Sequence, residues 1–240
     1  MTVLRKAMVF AAGLGTRMRP LTDNLPKPLL EVAGRTILER ILDGLEKAGV
    51  EEAVVNTHYF ADQIEAKLAR RRCPKILRSH EDDLLETGGG IAKALPLLGP
   101  GPFYVVNGDV LWSDGARDTL LRLAQSWKDS EMDVLLLVHP VVRSYGYRGP
   151  GDFFLDQLGR VRRRRVHEVA PFVFTGIQIL HPRLFEGAPS GRFSLNRLFD
   201  RAIESSRLFA IVHDGDWFHI GTPRDLTFAE VEFGNARKRQ

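Results

Sequence analysis

The stretch that decides the fold reads Ala7-Met8-Val9-Phe10-Ala11-Ala12-Gly13-Leu14-Gly15-Thr16-Arg17. Its first half is a short apolar run, which predicts a buried strand over Met8–Ala12. Its second half offers backbone N–H groups, a hydroxyl and a guanidinium at the end of that strand, a combination that binds anions. A second cation, Lys27, follows between two prolines. The segment is therefore suited to hold a polyphosphate.

Two common phosphate-binding loops do not match this segment. A Walker A loop needs Gly-Lys followed by Ser or Thr, whereas Gly15 is followed by Thr-Arg. A dinucleotide-binding loop needs a third glycine where Met18 stands, and it needs a helix that Pro20 and Pro26 prevent. Alone, two glycines after a strand are as typical of a tight turn. Arg17 and the Pro-Lys-Pro sequence favour the phosphate loop.

Alternating apolar runs and amphipathic stretches predict an α/β fold: a three-layer, Rossmann-like, mixed but mostly parallel sheet with helices on both faces. The predicted strands after the first are Ala53–Thr57, Lys75–Arg78, Phe103–Asn107, Asp133–Val138, Phe172–Leu180, Leu208–Val212 and Trp217–Ile220. The predicted helices are Thr36–Ala48, Asp62–Arg71, Gly90–Leu97, Ala116–Trp127, Leu195–Ser205 and one that begins at Thr222-Pro223. The segment 140–171 breaks the alternation and predicts turns and an exposed hairpin.

Composition and charge argue against a disulfide-bonded, membrane-spanning or nucleic-acid-binding protein. The chain has 240 residues, a net charge of +4 and one cysteine, so no internal disulfide is possible. We expect a cytoplasmic protein without a membrane span, because no apolar run approaches the roughly 20 residues that a bilayer requires. The cluster of five arginines within 160–165 indicates a solvated, self-repelling hairpin face rather than a nucleic-acid patch. Some of these arginines could instead reach an anionic substrate.

Two further polar groups follow predicted strands. Asn107-Gly108-Asp109 comes after a buried strand, where a carboxylate is suited to ligate Mg²⁺ together with substrate phosphates; the same residues are also typical of a simple turn. Residues 86–90 read Glu-Thr-Gly-Gly-Gly and precede a predicted helix. Three glycines allow a backbone to approach a flat ligand closely, although they are also typical of a flexible loop.

The first segment, together with Pro26-Lys27-Pro28, resembles the signature of the sugar-1-phosphate nucleotidylyltransferases, the NDP-sugar pyrophosphorylases. Residues 85–96 resemble the N-acetylmuramate-1-phosphate uridylyltransferase branch of that family. The resemblance implies the nucleotide-diphospho-sugar transferase fold in a single domain over residues 1–240. Its nucleotide-binding part would cover about 1–112 and its sugar-binding part about 133–223.

The resemblance also implies roles for individual residues. Catalysis would rest on Arg17 and Lys27. Nucleotide binding is implied for Ala11, Ala12, Gly13, Gly15, Thr16, Arg17, Glu86, Thr87, Gly88, Gly89 and Asn107. Sugar binding is implied for Gly146, Asp152, Glu168, Thr175 and Gly176. The implied cofactor is Mg²⁺, bound by Asp109 and by the residue at position 219.

The sequence departs from the family pattern at two places. Position 219 is a histidine where the family has its second metal-binding aspartate, and magnesium prefers oxygen ligands. Three explanations compete: His219 binds a metal with altered preference, Asp214 or Asp216 replaces it, or the site is impaired. In addition, Glu168 is followed by Val-Ala-Pro and lacks the lysine of the family's Glu-Lys-Pro motif.

The resemblance implies uridylyl transfer from UTP to N-acetylmuramate-1-phosphate with release of pyrophosphate, in the recycling of peptidoglycan sugars. The alternative enzymes are a mannose-1-phosphate guanylyltransferase and a hexose-1-phosphate thymidylyltransferase. An alternative of another class is a regulatory homologue that binds nucleotide sugars and turns over poorly. The expected partners are the nucleoside triphosphate and the sugar-1-phosphate, with no nucleic acid or membrane, in a monomer or small homo-oligomer.

Overall fold

The apolar runs form strands and the amphipathic stretches form helices. The computed structural model describes residues 4–238, with side chains described as far as residue 233. The strands are β1 (Lys6–Phe10), β2 (Glu31–Val32), β3 (Arg35–Thr36), β4 (Glu52–Thr57), β5 (Lys75–His80), β6 (Phe103–Val106), β7 (Val110–Trp112), β8 (Val134–Pro140), β9 (Phe153–Leu155), β10 (Val161–Arg163), β11 (Phe172–Leu180), β12 (Leu208–Val212) and β13 (Trp217–His219). The α-helices are α1 (Ile37–Lys47), α2 (Ala61–Leu68), α3 (Glu86–Leu98), α4 (Thr119–Ser126), α5 (Asn196–Glu204) and α6 (Pro223–Lys238).

The central sheet has the strand order β12-β8-β11-β6-β1-β4-β5. Strands β5, β4, β1 and β6 are mutually parallel, and β8 and β12 share their direction. Only β11 runs against its neighbours β6 and β8 in this series. The carboxyl ends of β1, β4, β5 and β6 therefore meet at one edge, which is where ligands bind in open α/β sheets.

The core lies on both faces of this sheet. Along β1 the side chains alternate, so that Ala7 and Val9 pack on one face and Met8 on the other. The first face is covered by the apolar sides of α1, α2, α4 and α6, and the second by those of α3 and α5. The mixed, mostly parallel three-layer fold predicted from the sequence is confirmed.

Segment 140–171 forms the predicted hairpin, in which β9 and β10 pair antiparallel at one end of the sheet. The arginines lie on a solvated hairpin face as expected, but the expected self-repulsion is wrong for three of them. Arg162 pairs with Glu168 at 2.7 Å, Arg163 pairs with Asp200, and Arg164 donates to backbone carbonyls. These contacts neutralise or satisfy three of the arginines because carboxylates and carbonyls from neighbouring segments reach them.

Candidate active site

The glycine-rich segment leaves β1 as an open loop with one short 3₁₀ turn at Thr16–Met18. Gly15 has a φ of +63°, and its carbonyl oxygen accepts from the buried Thr22 hydroxyl at 2.8 Å. A Cβ at Gly15 would lie 3.1 Å from Thr22 and 3.2 Å from Lys27, so the turn is packed tightly as well as left-handed. The chain reverses here because only glycine adopts this conformation without strain.

The loop presents its amides to the cleft. Within residues 4–238, no group accepts a hydrogen bond from any of the five backbone amides of Gly13 to Arg17. The Arg17 guanidinium is exposed and likewise has no acidic partner among the described residues. Five free donors beside a guanidinium at a strand end are suited to bind an anion.

Lys27 and Asp109 are joined directly. The Lys27 Nζ donates to Asp109 Oδ2 at 2.8 Å, and the lysine side chain is mostly buried while the aspartate is half-buried. Lys27 begins a second 3₁₀ turn beneath the phosphate loop, and Asp109 follows β6. The sheet therefore brings the predicted phosphate cation and the predicted metal ligand into one ion pair.

The glycines at 88–90 do not form a loop before a helix, and that expectation is wrong. Helix α3 already begins at Glu86, which has a φ of +59°. The amides of Gly88 and Gly89 donate to the carbonyl of Phe193, at 2.9 and 3.1 Å. A Cβ on Gly88 would lie 2.3 Å from the Phe193 ring. The close backbone approach thus serves packing against the segment before α5, and it consumes the amides that a ligand would otherwise use.

A cleft of about 470 Å³ gathers most of the predicted nucleotide residues. Among the predicted site residues, its walls include Ala11, Ala12, Gly13, Gly15, Thr16, Arg17, Lys27, Glu86, Thr87, Asn107 and Asp109. The walls described for this cleft do not include Gly88, Gly89, His219 or any of the five predicted sugar-binding residues. Lining residues that sequence reasoning missed are Phe10, Asn56, Glu81 and Leu84.

His219 lies beside Asp109, the aspartate predicted to bind the metal. In the β13–β7 ladder it pairs with Val110, the residue after Asp109. The alternative that Asp214 or Asp216 replaces it is contradicted by the same ladder. The Asp216 carbonyl accepts from the Ser113 amide at its far end, about 13 Å along β7 from Asp109 at roughly 3.3 Å per residue. Asp214 pairs with Arg122 at 3.3 Å.

The side chains of Asp109 and His219 are suited to a metal ion that substrate phosphates help to hold. Burial lowers the pKa of His219, Asp109 opposes this effect, and the nearby Lys27 and Arg17 add to it, which favours the neutral imidazole that a metal requires. Within the described residues, no three histidine, cysteine, aspartate or glutamate side chains cluster closely enough to hold an ion by themselves. One carboxylate plus phosphate oxygens is a common magnesium arrangement.

The predicted sugar residues on β11 support the cleft from behind. Thr175 is fully buried, and its hydroxyl donates to the Leu137 carbonyl at 2.7 Å. Gly176 has a φ of +83° at a bulge in β11, and its carbonyl accepts from the Asn107 amide at 2.8 Å. A Cβ at Gly176 would lie 2.9 Å from the Asn107 side chain. Gly176 therefore helps to set the position of Asn107.

Of the other predicted sugar-binding residues, Gly146 and Asp152 lie near His219 and Tyr147, whereas Glu168 lies in the hairpin. Gly146 lies against the His219 carbonyl, and Asp152 lies near Tyr147, whose pKa is raised by burial and by that carboxylate. Tyr147 makes an edge contact with the His219 ring, with centroids 6.5 Å apart, and sequence reasoning missed it. Glu168 is not brought there. Its carboxylate is held in the hairpin by Arg162 and the Arg165 amide.

A comparison with protein families decides the classification. The model of the MobA-like NTP transferase domain matches residues 7–216. The chain belongs to this family. Its matched region spans the phosphate loop, the Lys27–Asp109 pair and all central strands of the sheet.

Individual family members resemble the chain over nearly its whole length. N-acetylmuramate alpha-1-phosphate uridylyltransferase of Caulobacter vibrioides is 43% identical over 96% of this chain and 97% of its own. The enzyme of the same name from Neisseria meningitidis is 37% identical over 95% and 98%. The crystal structure of a UDP-glucose pyrophosphorylase complexed with UDP-glucose superposes with a TM-score of 0.79 at 17% identity, covering 99% of this chain and 100% of that one. The last comparison establishes the nucleotide-diphospho-sugar transferase fold.

As a member of the NTP transferase family, the chain is a nucleotidyltransferase, and the cleft is placed where its fold binds ligands. Among the residues that the structure describes, no helix is both long and apolar enough to cross a membrane.

Proposed function

We propose that the chain transfers a uridylyl group from UTP to N-acetylmuramate-1-phosphate and releases pyrophosphate, in the recycling of peptidoglycan sugars. The observation that carries nucleotidyl transfer is the set of five unpaired amides beside Arg17, opposite the Lys27–Asp109 pair. The choice of base and sugar rests on the two relatives with this activity, which match the chain from end to end.

The chemistry needs no protein nucleophile. A phosphate monoester has a second pKa of about 6, so the sugar phosphate is already mostly a dianion at neutral pH. One of its oxygens attacks the α-phosphorus, and the bond from that phosphorus to the bridging oxygen breaks as pyrophosphate leaves. The barrier is repulsion between anions, which the amides of Gly13 to Arg17 and the charges of Arg17 and Lys27 reduce.

Asp109 and His219 are the residues that would hold a divalent cation together with the phosphates. When bound, the cation would neutralise negative charge on those phosphates. The Asp109 carboxylate suits Mg²⁺, whereas the His219 imidazole suits a transition metal such as zinc, iron or nickel better. We therefore propose Mg²⁺ as the cofactor, with a tolerance for such metals.

The test measures pyrophosphate release from UTP, GTP, dTTP and CTP, each crossed with the 1-phosphates of N-acetylmuramate, glucose, mannose and N-acetylglucosamine. We expect UTP with N-acetylmuramate-1-phosphate to give the highest kcat/KM. Highest turnover of a guanylyl or thymidylyl pair would replace the assignment by the corresponding enzyme. Nucleotide binding without release from any pair would identify a regulatory binder. An Arg17→Ala preparation controls for contaminating enzymes.

A further inference from the structure

A buried carboxylate in the cleft has no role in the chemistry described above. Glu81 follows β5, lines the cleft, and is only 1% exposed. Its partners in the described part of the chain are N–H groups and include no lysine or arginine. A buried carboxyl without a cation is costly, and it is tolerated only when its oxygens accept well-formed hydrogen bonds.

The two oxygens of Glu81 connect two different segments. Oε1 accepts from Asn56 Nδ2 at 2.7 Å, and Oε2 accepts from the Leu85 amide at 3.0 Å. Asn56, on β4, is 2% exposed, and its Oδ1 accepts from the Ala11 amide at 2.7 Å. A continuous series of three hydrogen bonds therefore runs from Ala11 to Leu85.

The two ends of this series are the starts of the two cleft walls. Ala11 is the first residue after β1 and lies two residues before Gly13, where the loop of free amides begins. Leu85 directly precedes Glu86 and Thr87, which line the opposite wall. Neither wall makes a strand pairing with the other, because β4 lies between β1 and β5 in the sheet. The side chains of Asn56 and Glu81 thus connect the two walls through hydrogen bonds.

The packing around Glu81 is specific to its carboxyl group. A Cβ on Gly90 would lie 2.9 Å from Glu81 Oε1 and 3.3 Å from Asn56 Nδ2, so α3 lies directly against the pair. The neighbouring side chain on β4, Thr57, is equally buried but interacts with His80 instead, at 3.3 Å. This neighbour provides a comparison at the same depth that does not connect the two walls.

We propose that Glu81 and Asn56 are positioning residues that hold the phosphate loop and the start of α3 at the separation a nucleoside triphosphate requires. The proposal rests on the proposed nucleotidyl transfer. The pair acts through Ala11 and Leu85, so it affects binding of the nucleotide and not that of the sugar phosphate.

The proposal can be tested by exchanging the amide of Asn56 and the carboxylate of Glu81. Glu81→Gln leaves at least one pair of N–H donors facing each other, and Asn56→Asp places two carboxylates in contact. The double variant Asn56→Asp/Glu81→Gln restores all three bonds. The carboxylate introduced at position 56 accepts from the Ala11 amide and from the side-chain NH₂ introduced at position 81. The side-chain oxygen at position 81 accepts from the Leu85 amide. The double variant also keeps the same net charge.

The experiment measures the dissociation constant for UTP by calorimetry, the KM for each substrate, and Tm. We expect each single variant to weaken UTP binding at least tenfold, to leave the KM for the sugar phosphate within twofold, and to be rescued by the swap to within threefold of wild type. Thr57→Val is the matched control and should lower Tm without changing UTP binding.

Unchanged UTP binding in both folded single variants, or a folded double variant that remains impaired, would overturn the proposal. If the single variants do not fold, the double variant alone decides. Calorimetry separates this outcome from failure of the proposed function, because it reports nucleotide binding even if no sugar phosphate is turned over.

Discussion

The Lys27 ammonium lies 2.8 Å from the Asp109 carboxylate at the floor of the cleft. Each group neutralises the other before substrate arrives, which keeps the largely buried lysine paired. Removing Lys27 leaves a carboxylate without its cation beside the phosphates. We therefore expect Lys27→Ala to lower kcat by roughly 10²-fold or more, as for a lost transition-state donor. Steady-state pyrophosphate release measures the effect.

Lys128→Ala serves as the control, because Lys128 is exposed and pairs only with Glu131 among the described residues. It should retain wild-type kcat. Near-normal turnover of Lys27→Ala would show that the Lys27–Asp109 pair is structural and not catalytic.

The left-handed turn at Gly15 predicts a graded response to substitution. Gly15→Ala should lower kcat/KM for the nucleotide, and Gly15→Val should lower it further, since the added carbons meet Thr22 and Lys27. The left-handed conformation alone costs a non-glycine residue about 1–2 kcal/mol. Gly101→Ala is the matched control, since open space surrounds that glycine. Equal activities of the two Gly15 variants would contradict tight packing.

The histidine beside Asp109 predicts an unusual metal response. His219→Asp adds a second carboxylate next to Asp109, so the Mg²⁺ concentration for half-maximal activity should fall several-fold. The activity with Mg²⁺ relative to that with Ni²⁺, a metal that imidazole suits, should rise in the same variant. His219→Asn is the control, because it offers an oxygen without charge. Titrations of activity with each metal decide the point, and an unchanged Mg²⁺ response would remove position 219 from the metal site.

A buried histidine pair predicts how stability depends on pH. Burial lowers the pKa of His139 to about 4, and it also lowers the pKa of the adjacent His213. Histidine in an unfolded chain titrates near 6.5, so between about pH 4 and 6.5 the unfolded state binds more protons. The free energy of unfolding should therefore fall as the pH decreases through this window, by at most about 1.4 kcal/mol per pH unit for His139.

Urea unfolding at several pH values measures this slope. His139→Gln should flatten it, whereas His167→Gln, at an exposed position, should retain the wild-type slope. A His139→Gln slope equal to that of wild type would mean that this histidine does not titrate differently in the two states.

Several features could be predicted because they depend on neighbours in the sequence. The phosphate loop follows from two glycines and an arginine directly after an apolar strand. The start of α6 follows similarly. Pro223 is its first residue, the Thr222 hydroxyl accepts from the Asp225 amide, and the Asp225 carboxylate accepts from the Thr222 amide.

The misassigned features depend on residues that are distant in the chain. Three consecutive glycines indicate a loop that approaches a ligand closely or is flexible, whereas in the structure they lie inside α3 and the Phe193 carbonyl accepts a hydrogen bond from the Gly88 amide. Asn56 and Glu81 gave no signal, because one polar residue at a strand end is ordinary. Their function depends on amides that the sheet brings to them from Ala11 and Leu85.

The sequence by itself determined the strand–helix alternation, the glycine-rich loop after β1 and the chemical types of the candidate site residues, because periodicity and local backbone preference are encoded over short spans. Only the tertiary structure decided which charges meet. It paired Lys27 with Asp109, placed His219 beside that aspartate, and moved Asp216 to the far end of the ladder. The reason is that strand order and register, which set these distances, arise from packing between segments far apart in the chain.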